Sequence, residues 1–447
     1  MDAKQLRGLK PELDIFLERY LPLFGRPENH EHAQRFVHGL LGGHERRNVE
    51  NIAEAVDGGV VRTLQKFVAQ GMWDGDVVLH ELRSHVNECL GNEDGTINVD
   101  ETGFAKKGEK SVGVKRQYSG TLGRVENCQI GVFANYCSTR GHTMIDRRLY
   151  LPKEWAEDTS RREEAGVPAG VIFRTKPELA LEMIQVAITE GLHFRWVGGD
   201  CVYGDNPTFT STLRMLGKYY VLDVSSTTCV WLTKPKMQTK SRGGKPKPST
   251  KPITVAEAAA QLPPSAFKRI TVSEGSQGSI LYEYAELTVW ISEEGNPCEV
   301  SERLLVRRSL GQEPEVKYHR SNAPPDFPLD QLARQRSCRW TIEQDIQAGK
   351  GECGLDEYET RGWIGWHHHT ALSVLALLFL VLQKTRLGEK RAADDGASSA
   401  KHSPSSARPA SLGRERDCGV VQLANGKKSR RKGMPRTAAA SRTRAAK

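Results

Sequence analysis

Three acidic positions could do chemistry together. Asn98-Val99-Asp100-Glu101 and Trp196-Val197-Gly198-Gly199-Asp200 each read as an apolar strand ending in a carboxylate. Such a group lies at a sheet edge, where ligands and metals gather; taken singly, it more often caps a turn or a helix. The stretch from Cys338 to Lys350 says more. On a helix turning about 100° per residue, with Glu343 at zero, Arg339 falls near roughly −40° and Lys350 near roughly −20°. Trp340 near roughly +60°, with Ile346 and Ile342 near roughly −60° and −100°, brackets this stripe. Thr341, Gln344, Asp345 and Ala348 take the opposite face. A solvated salt-bridged stripe would lie opposite the apolar residues, whereas here the charges share their side. They are expected to face inward, where charges need partners. A carboxylate between two inward cations suits a metal ion and a phosphate. Gly349 is a potential helix stop just before Lys350.

The elements that must position these groups follow from periodicity. Residues 1–90 read as a helical domain, with helix-period apolar residues over 6–19, 31–41, 48–55 and 60–69. It is either a DNA-binding head or a plain helical bundle. From 91 to 230 the pattern changes to strands (97–100, 111–119, 125–138, 143–151), then to alternating helix and strand. Helices are expected over 177–191 and 207–216, and strands over 194–199 and 219–224. This is an α/β layout, a mixed sheet flanked by helices. Residues 231–328 form a β-rich insertion that opens with a basic loop. Lys234, Lys236, Lys240, Arg242, Lys245, Lys247 and Lys251 fall in 231–252 with no acid among them. Strands are expected there over 280–284, 287–291 and 303–307. Helix resumes over 329–385, with a break near 349–354. Residues 386–447 read as a disordered basic tail.

Charge is uneven along the chain. The tail holds 16 Lys and Arg against 5 Asp and Glu, out of 64 and 55 in all 447 residues. The body is therefore close to neutral, and the tail is drawn to polyanions. Nine cysteines, none in a CxxC pair, suggest neither a zinc ribbon nor a disulfide framework and fit a reducing, cytoplasmic setting. The N-terminal residues lack the apolar core of a signal peptide. The apolar run 371–382 is short for a bilayer and reads as a buried core helix.

VDETGFAKKGEKSVGVKRQYSGTLGRVENCQ, WVGGDCVYGD and RWTIEQDIQAGKGECGLDEYETRGW, in that order, resemble the DDE transposases of bacterial insertion sequences. The likeness is to the branch with a Tyr-x2-Arg-x3-Glu-x6-Lys signature, and it covers roughly residues 30–385. It implies an RNase H-like core with a β-rich insertion between the second and third acids. By motif the metal-ligating, catalytic acids are Asp100, Asp200 and Glu343. Arg339 and Lys350 hold the signature's cationic positions as DNA contacts, and Arg336 replaces its tyrosine. The implied cofactor is two Mg2+ ions, for which Mn2+ can substitute. The implied partners are the element's terminal repeats and target DNA, met by a homodimer in the bacterial nucleoid, without a membrane. The implied reaction is strand cleavage at the element's ends, then transfer of the 3′-hydroxyl into the target. Two other readings stay open: a nuclease that cuts without joining, and a non-catalytic DNA-binding repressor.

Several further residues are weighed with these. Lys106 and Lys107 follow the first acid as phosphate contacts or solvated charges. Trp290 and Trp231 lie in the insertion, as core residues or, for Trp290, as a stacking surface for a flipped base. Asp146 and Asp205 are nearby acids, the latter a structural cap. His367, His368 and His369 point in three directions on a helix, so they read as one face contact plus solvent and not as zinc ligands.

Overall fold

A computed structural model describes residues 9–400 apart from 44, 121–122, 240–244 and 276–277, and omits the side chains of 274–275 and 388–400. Most of the expected basic tail therefore lies outside the described residues. The chain begins with helices α1 (Lys10–Glu18), α2 (Pro27–Leu41), α3 (Val49–Ala55), α4 (Val61–Gln70) and α5 (Gly75–Leu90). Helix α2 buries Ala33, Phe36, Val37 and Leu40, the spacing of one helical face. Asp74 caps α5 by accepting the Asp76 amide.

Strands β1 (Thr96–Ala105), β2 (Lys115–Ser119), β3 (Arg124–Ser138) and β4 (Gly141–Tyr150) follow, then α6 (Lys153–Glu157), α7 (Thr159–Glu164) and α8 (Lys176–Thr189). Thr175 and Glu178 close a capping box at the start of α8. Next come β5 (Trp196–Gly199), α9 (Cys201–Gly204), α10 (Pro207–Met215) and β6 (Tyr219–Val224). Strand β3 runs antiparallel to β1 and β4, while β1, β5 and β6 are mutually parallel. The resulting order β4-β3-β1-β5-β6 is the mixed, helix-flanked RNase H-like core that the resemblance implied.

The insertion extends this sheet. It comprises β7 (Cys229–Trp231), β8 (Met237–Gln238), β9 (Lys247–Pro248), β10 (Ile253–Thr254), α11 (Val255–Ala260), β11 (Lys268–Gly275), β12 (Gly278–Glu293), β13 (Asn296–Pro297), β14 (Glu302–Arg308) and β15 (Val316–Ser321). Strand β15 pairs antiparallel with β6, and the order continues β14-β12-β7-β10. Some sequence boundaries move. The strand expected from 111 starts at Lys115, and those at 280–284 and 287–291 are one strand, β12. Strand β15 was not foreseen. The basic loop holds a separate hairpin, β8 with β9, which springs from between β7 and β10 at the sheet's outer edge.

The chain ends in α12 (Leu329–Cys338), α13 (Trp340–Cys353) and α14 (Trp363–Ala400). Helix α13 runs through Gly349, so Lys350 is helical, and it stops at Gly354, whose φ of 60° suits glycine. Helix α14 passes Arg386, beyond the expected start of the disordered tail, through Leu-, Lys-, Glu- and Ala-containing sequence that favours helix. Its segment Trp363–Leu387 is apolar and long enough to cross a membrane, but 61% of the most apolar window is buried inside the protein. Trp366, Leu372, Leu375 and Leu378 are fully buried there. The N-terminal helices, the β1–β6 sheet and α14 share one continuous apolar core.

A buried ionic cluster joins the two parts of the sheet. Arg320 of β15 donates two hydrogen bonds to Glu302 of β14, at 2.8 and 2.6 Å, and one to the Gly204 carbonyl at 3.1 Å. The Tyr220 hydroxyl of β6 donates to the same carboxylate at 2.7 Å. Glu302 and Arg320 are 3% and 1% exposed, so neither can turn to water if its partner is lost. Glu302→Ala is expected to cost about 3–5 kcal/mol by stranding the Arg320 charge. Urea unfolding measures it; a loss below about 1 kcal/mol would show that the cluster does not hold the two parts together.

Candidate active site

Parallel pairing sets the first two acids. Strands β1 and β5 pair Asn98 with Gly198, so Asp100 and Asp200 stand level two residues further on. Strands β5 and β6 pair Gly199 with Leu222, which brings Asp223 level with Asp200. Three carboxylates thus stand level across adjacent parallel strands. Asp200 and Asp223 lie at the carboxyl ends of β5 and β6, the edge where α/β sheets collect ligands. Asp100 lies midway along β1, which runs on beside β3 to Ala105 and past the expected end of the strand. Asp200 also caps α9, its Oδ1 accepting the Val202 amide at 2.9 Å. Gly204 lets the following turn close on β6, since a Cβ there would lie 1.9 Å from the Asp223 carbonyl oxygen.

The fourth acid comes from the helices. Helices α12 and α13 meet at Arg339, and the junction is pinned to the sheet by Asn98, which donates to the Cys338 carbonyl at 3.2 Å and to Asn135 at 2.9 Å. Asn135 in turn donates to Thr341 and Asp345, each at 2.8 Å, and His142 lies 2.7 Å from the other Asp345 oxygen. These bonds fix the rotation of α13. Its buried face is Ile342, Asp345, Gly349 and Cys353, while Trp340 is 57% exposed. The helical wheel is corrected accordingly: the charged stripe flanks the buried face, with Ile342 on its inner side and Trp340 turned to solvent on the other. Asp345 can be buried because Asn135 and His142 satisfy it.

Arg339 is the hub of the cluster. Its Nη1 lies 3.2 Å from Asp100 Oδ2, its Nη2 2.7 Å from Glu343 Oε1 and its Nε 3.5 Å from Asp223 Oδ2. The surrounding acids fall into two kinds. Burial pushes Asp100 up to about 7 against the pull of Arg339, with repulsion from Asp200 and Glu101 adding to it. Burial, then Glu101, pushes Asp200 up to about 6. Burial would also raise Asp223, but His319, Arg336 and Arg339 outweigh it and hold this carboxyl well below the usual range. Asp223 is a satisfied anion, whereas burial leaves Asp100 and Asp200 with raised proton affinity despite Arg339.

Other sequence-singled residues fall as follows. Arg336, its side chain only 10% exposed, donates to Asp223 at 2.9 Å with His319 beside it, so it backs the cluster from behind. Lys350 donates to Thr102 at 2.8 Å and to the Gly103 carbonyl at 3.3 Å, tying α13 to β1. Lys106 lies over the Tyr358 ring at 3.5 Å, and Lys107 is exposed. Trp290 is half-buried on β12, opposite Trp231 and three strands beyond β6. Asp205 accepts from Ser225 and Thr228 as a structural cap, and Asp146 is buried among Arg83, Arg147 and Arg148. His368 and His369 are both buried, against the expectation of one contact plus solvent, and each ring meets backbone carbonyls. Glu101 is held by Lys176 at 2.6 Å and Tyr203 at 3.1 Å. Asp223 and Glu101 were missed; an acid inside the apolar strand 219–224 was the available signal.

The donor chemistry fits a divalent cation. Asp100, Asp200 and Glu343 offer hard carboxylate oxygens, and burial leaves the first two with raised proton affinity. In the present arrangement the cation between Asp100 and Glu343 is a guanidinium, and among the described residues no three acids, histidines or cysteines close around one point.

A family model described as DDE superfamily endonuclease matches residues 19–279. The chain belongs to the DDE superfamily endonucleases. The matched segment contains Asp100 and Asp200 and stops before Glu343, whose place among the acids rests on the geometry above. The chain is also 28% identical, over 218 residues, to a Microchaete diplosiphon protein described as a probable transposase for insertion sequence element IS701. That alignment covers 48% of this chain and 54% of the relative, so the chain spans about half the length of the curated relative it matches. Two solved structures are distantly similar. A piggyBac transposase synaptic complex with hairpin DNA matches at 9% identity and a TM-score of 0.33, over 75% of this chain and 56% of that one. The NurA nuclease of Sulfolobus solfataricus matches at 9% and 0.26, over 61% and 86%. Neither adds to the fold described above.

The raised Asp100 value makes this DDE endonuclease's stability depend on pH without metal. The folded state holds a proton on Asp100 that the unfolded state releases, so stability present below the ordinary carboxylate value is lost as pH rises to about 7. Asp100→Asn removes this titration. Without metal, the variant is expected to match the wild type in acid and exceed it by on the order of 2 kcal/mol at neutral pH. Denaturation across that range tests it; a constant difference would mean that Asp100 carries no such burden.

Proposed function

We propose that this endonuclease is a DNA transposase, in which Asp100, Asp200 and Glu343 hold divalent metal, Mg2+ or Mn2+, at the scissile phosphodiester. The observation that carries the reading is the level row of carboxylates on adjacent parallel strands, two of them with proton affinity raised by burial, facing Arg339 at the α12–α13 junction and Glu343 on α13. Metal bound there supplies Lewis-acid stabilisation of the phosphate and a lowered pKa for an attacking hydroxyl. The protein's own work is positioning. The paired ends of β1 and β5 set two acids at one level, and the Asn98–Asn135–Asp345 bonds fix the third on α13. Arg339 and Lys350 face the DNA phosphates from the same stripe of α13, and the bidentate guanidinium matches a phosphate's geometry.

Around this centre, exposed Lys107 and the lysines of the β8–β9 arm meet the DNA backbone. The N-terminal helices contribute further DNA contacts, and two copies pair two element ends. Water and a terminal 3′-hydroxyl are chemically equivalent nucleophiles, so one centre serves cleavage and joining.

The test uses the purified full chain and a linear DNA carrying the element's ends, with Mg2+ or EDTA. Nicking at the ends is expected with Mg2+ alone, and joined products mark strand transfer. Glu343→Gln is expected to lower cleavage by on the order of 100-fold or more while leaving DNA retention in a gel intact. Cleavage at the wild-type rate in that variant would sink the assignment, and cutting without joined products would reduce the activity to that of a nuclease.

A further inference from the structure

The guanidinium of Arg339 occupies an unusual place. It bridges Asp100 and Glu343 through separate nitrogens, so each acid already has a cation bound to it. It also reaches past them. Its Nε is buried and makes no hydrogen bond, yet lies 3.5 Å from Asp223 Oδ2. Asp223 is itself held in place by Arg336 at 2.9 Å and His319 at 2.8 Å. One donor of Arg339 is therefore unsatisfied while an anchored carboxylate stands just beyond bonding range.

We propose that Arg339 is a built-in counter-cation, which holds the space between Asp100 and Glu343 until a divalent ion replaces it. This inference rests on reading Asp100, Asp200 and Glu343 as metal ligands. A divalent ion drawn to Asp100 and Glu343 meets a guanidinium already bound to both, so the two cations repel and compete for the same negative charge. Displacement does not strand the arginine, because closing Nε onto Asp223 satisfies a donor that otherwise has no hydrogen-bond partner. The base of the side chain stays fixed: Arg339 Cβ sits over Gly198, 3.8 Å from where a Cβ at that glycine would lie. The freed Nη1 and Nη2 remain beside the acids, ready for another anion. In a DNA-cutting centre that anion is a phosphate oxygen. Metal entry and phosphate capture are then linked, and each favours the other.

The experiment measures Mn2+ binding to the full chain without DNA, from the loss of the free-ion signal in electron paramagnetic resonance. Arg339→Gln removes the competitor and is expected to bind Mn2+ about tenfold more tightly than the wild type. Arg339→Lys keeps the charge but loses the fork, and is expected to fall between them. Asp223→Asn takes away the alternative partner and is expected to weaken Mn2+ binding several-fold. Unchanged or weaker binding in both Arg339 variants overturns the proposal, and circular dichroism identifies any variant that has not folded. Asp100→Asn separates this inference from the reading beneath it. If Asp100→Asn abolishes Mn2+ binding while the Arg339 variants do not tighten it, only the counter-cation role falls. If Asp100→Asn binds Mn2+ like the wild type, the ligand assignment falls and takes the inference with it.

Discussion

Burial of three level carboxylates on neighbouring parallel strands is the constraint around which the acidic centre is arranged. The acids lie where little water screens them, so their mutual cost is far larger than at an open surface. The protein answers it unequally. Asp223 receives a permanent guanidinium from Arg336 and an imidazole from His319 and stays ionised. Asp100 and Asp200 share only Arg339 and are left with raised proton affinity. Inequality of this kind separates a structural acid from a ligand: one is complete, while the others retain a need that a cation from solution can meet.

Much of this centre was legible in the chain because it depends on local pattern. The apolar strand before Asp200 and the spacing of Arg339, Glu343 and Lys350 on a helix survive folding unchanged, whereas the strand expected to end at Asp100 runs on to Ala105 because it stays paired with β3. What was missed depends on pairing between distant segments. Asp223 reads as an odd polar residue in an apolar strand until β15 is laid beside β6 and brings His319 opposite it. Strand β15 itself looks like a polar loop, because the residues it buries, His319 and Arg320, are ones that hydropathy assigns to solvent. The rotation of α13 was misjudged for the same reason. A wheel sorts residues by apolarity, yet the buried face carries Asp345, whose partners Asn135 and His142 lie some two hundred residues earlier in the chain.

The same reasoning explains how a long insertion can interrupt a catalytic core. Glu302, Arg320 and Tyr220 lock the insertion's strands onto β6, and Arg320 also reaches the Gly204 carbonyl in the turn that follows Asp200. The insertion is therefore continuous with the strand edge that bears the acids. It also leads directly into α12 and α13, so the last acid arrives from an element that the extended sheet has already placed.

Continuity of the sheet makes the molecule a ruler. Five strand spacings, of about 4.8 Å each, separate β6 from β10, beside which the lysine-rich hairpin emerges. That is a lateral span of roughly 24 Å, about seven base pairs of a straight duplex at 3.4 Å per step. A hydrogen-bonded ladder does not stretch, so the interval between the lysine-rich hairpin and the acidic centre is set by a count of strands. Two chains that differ by a pair of strands in this region would hold the same centre at a different distance from the hairpin.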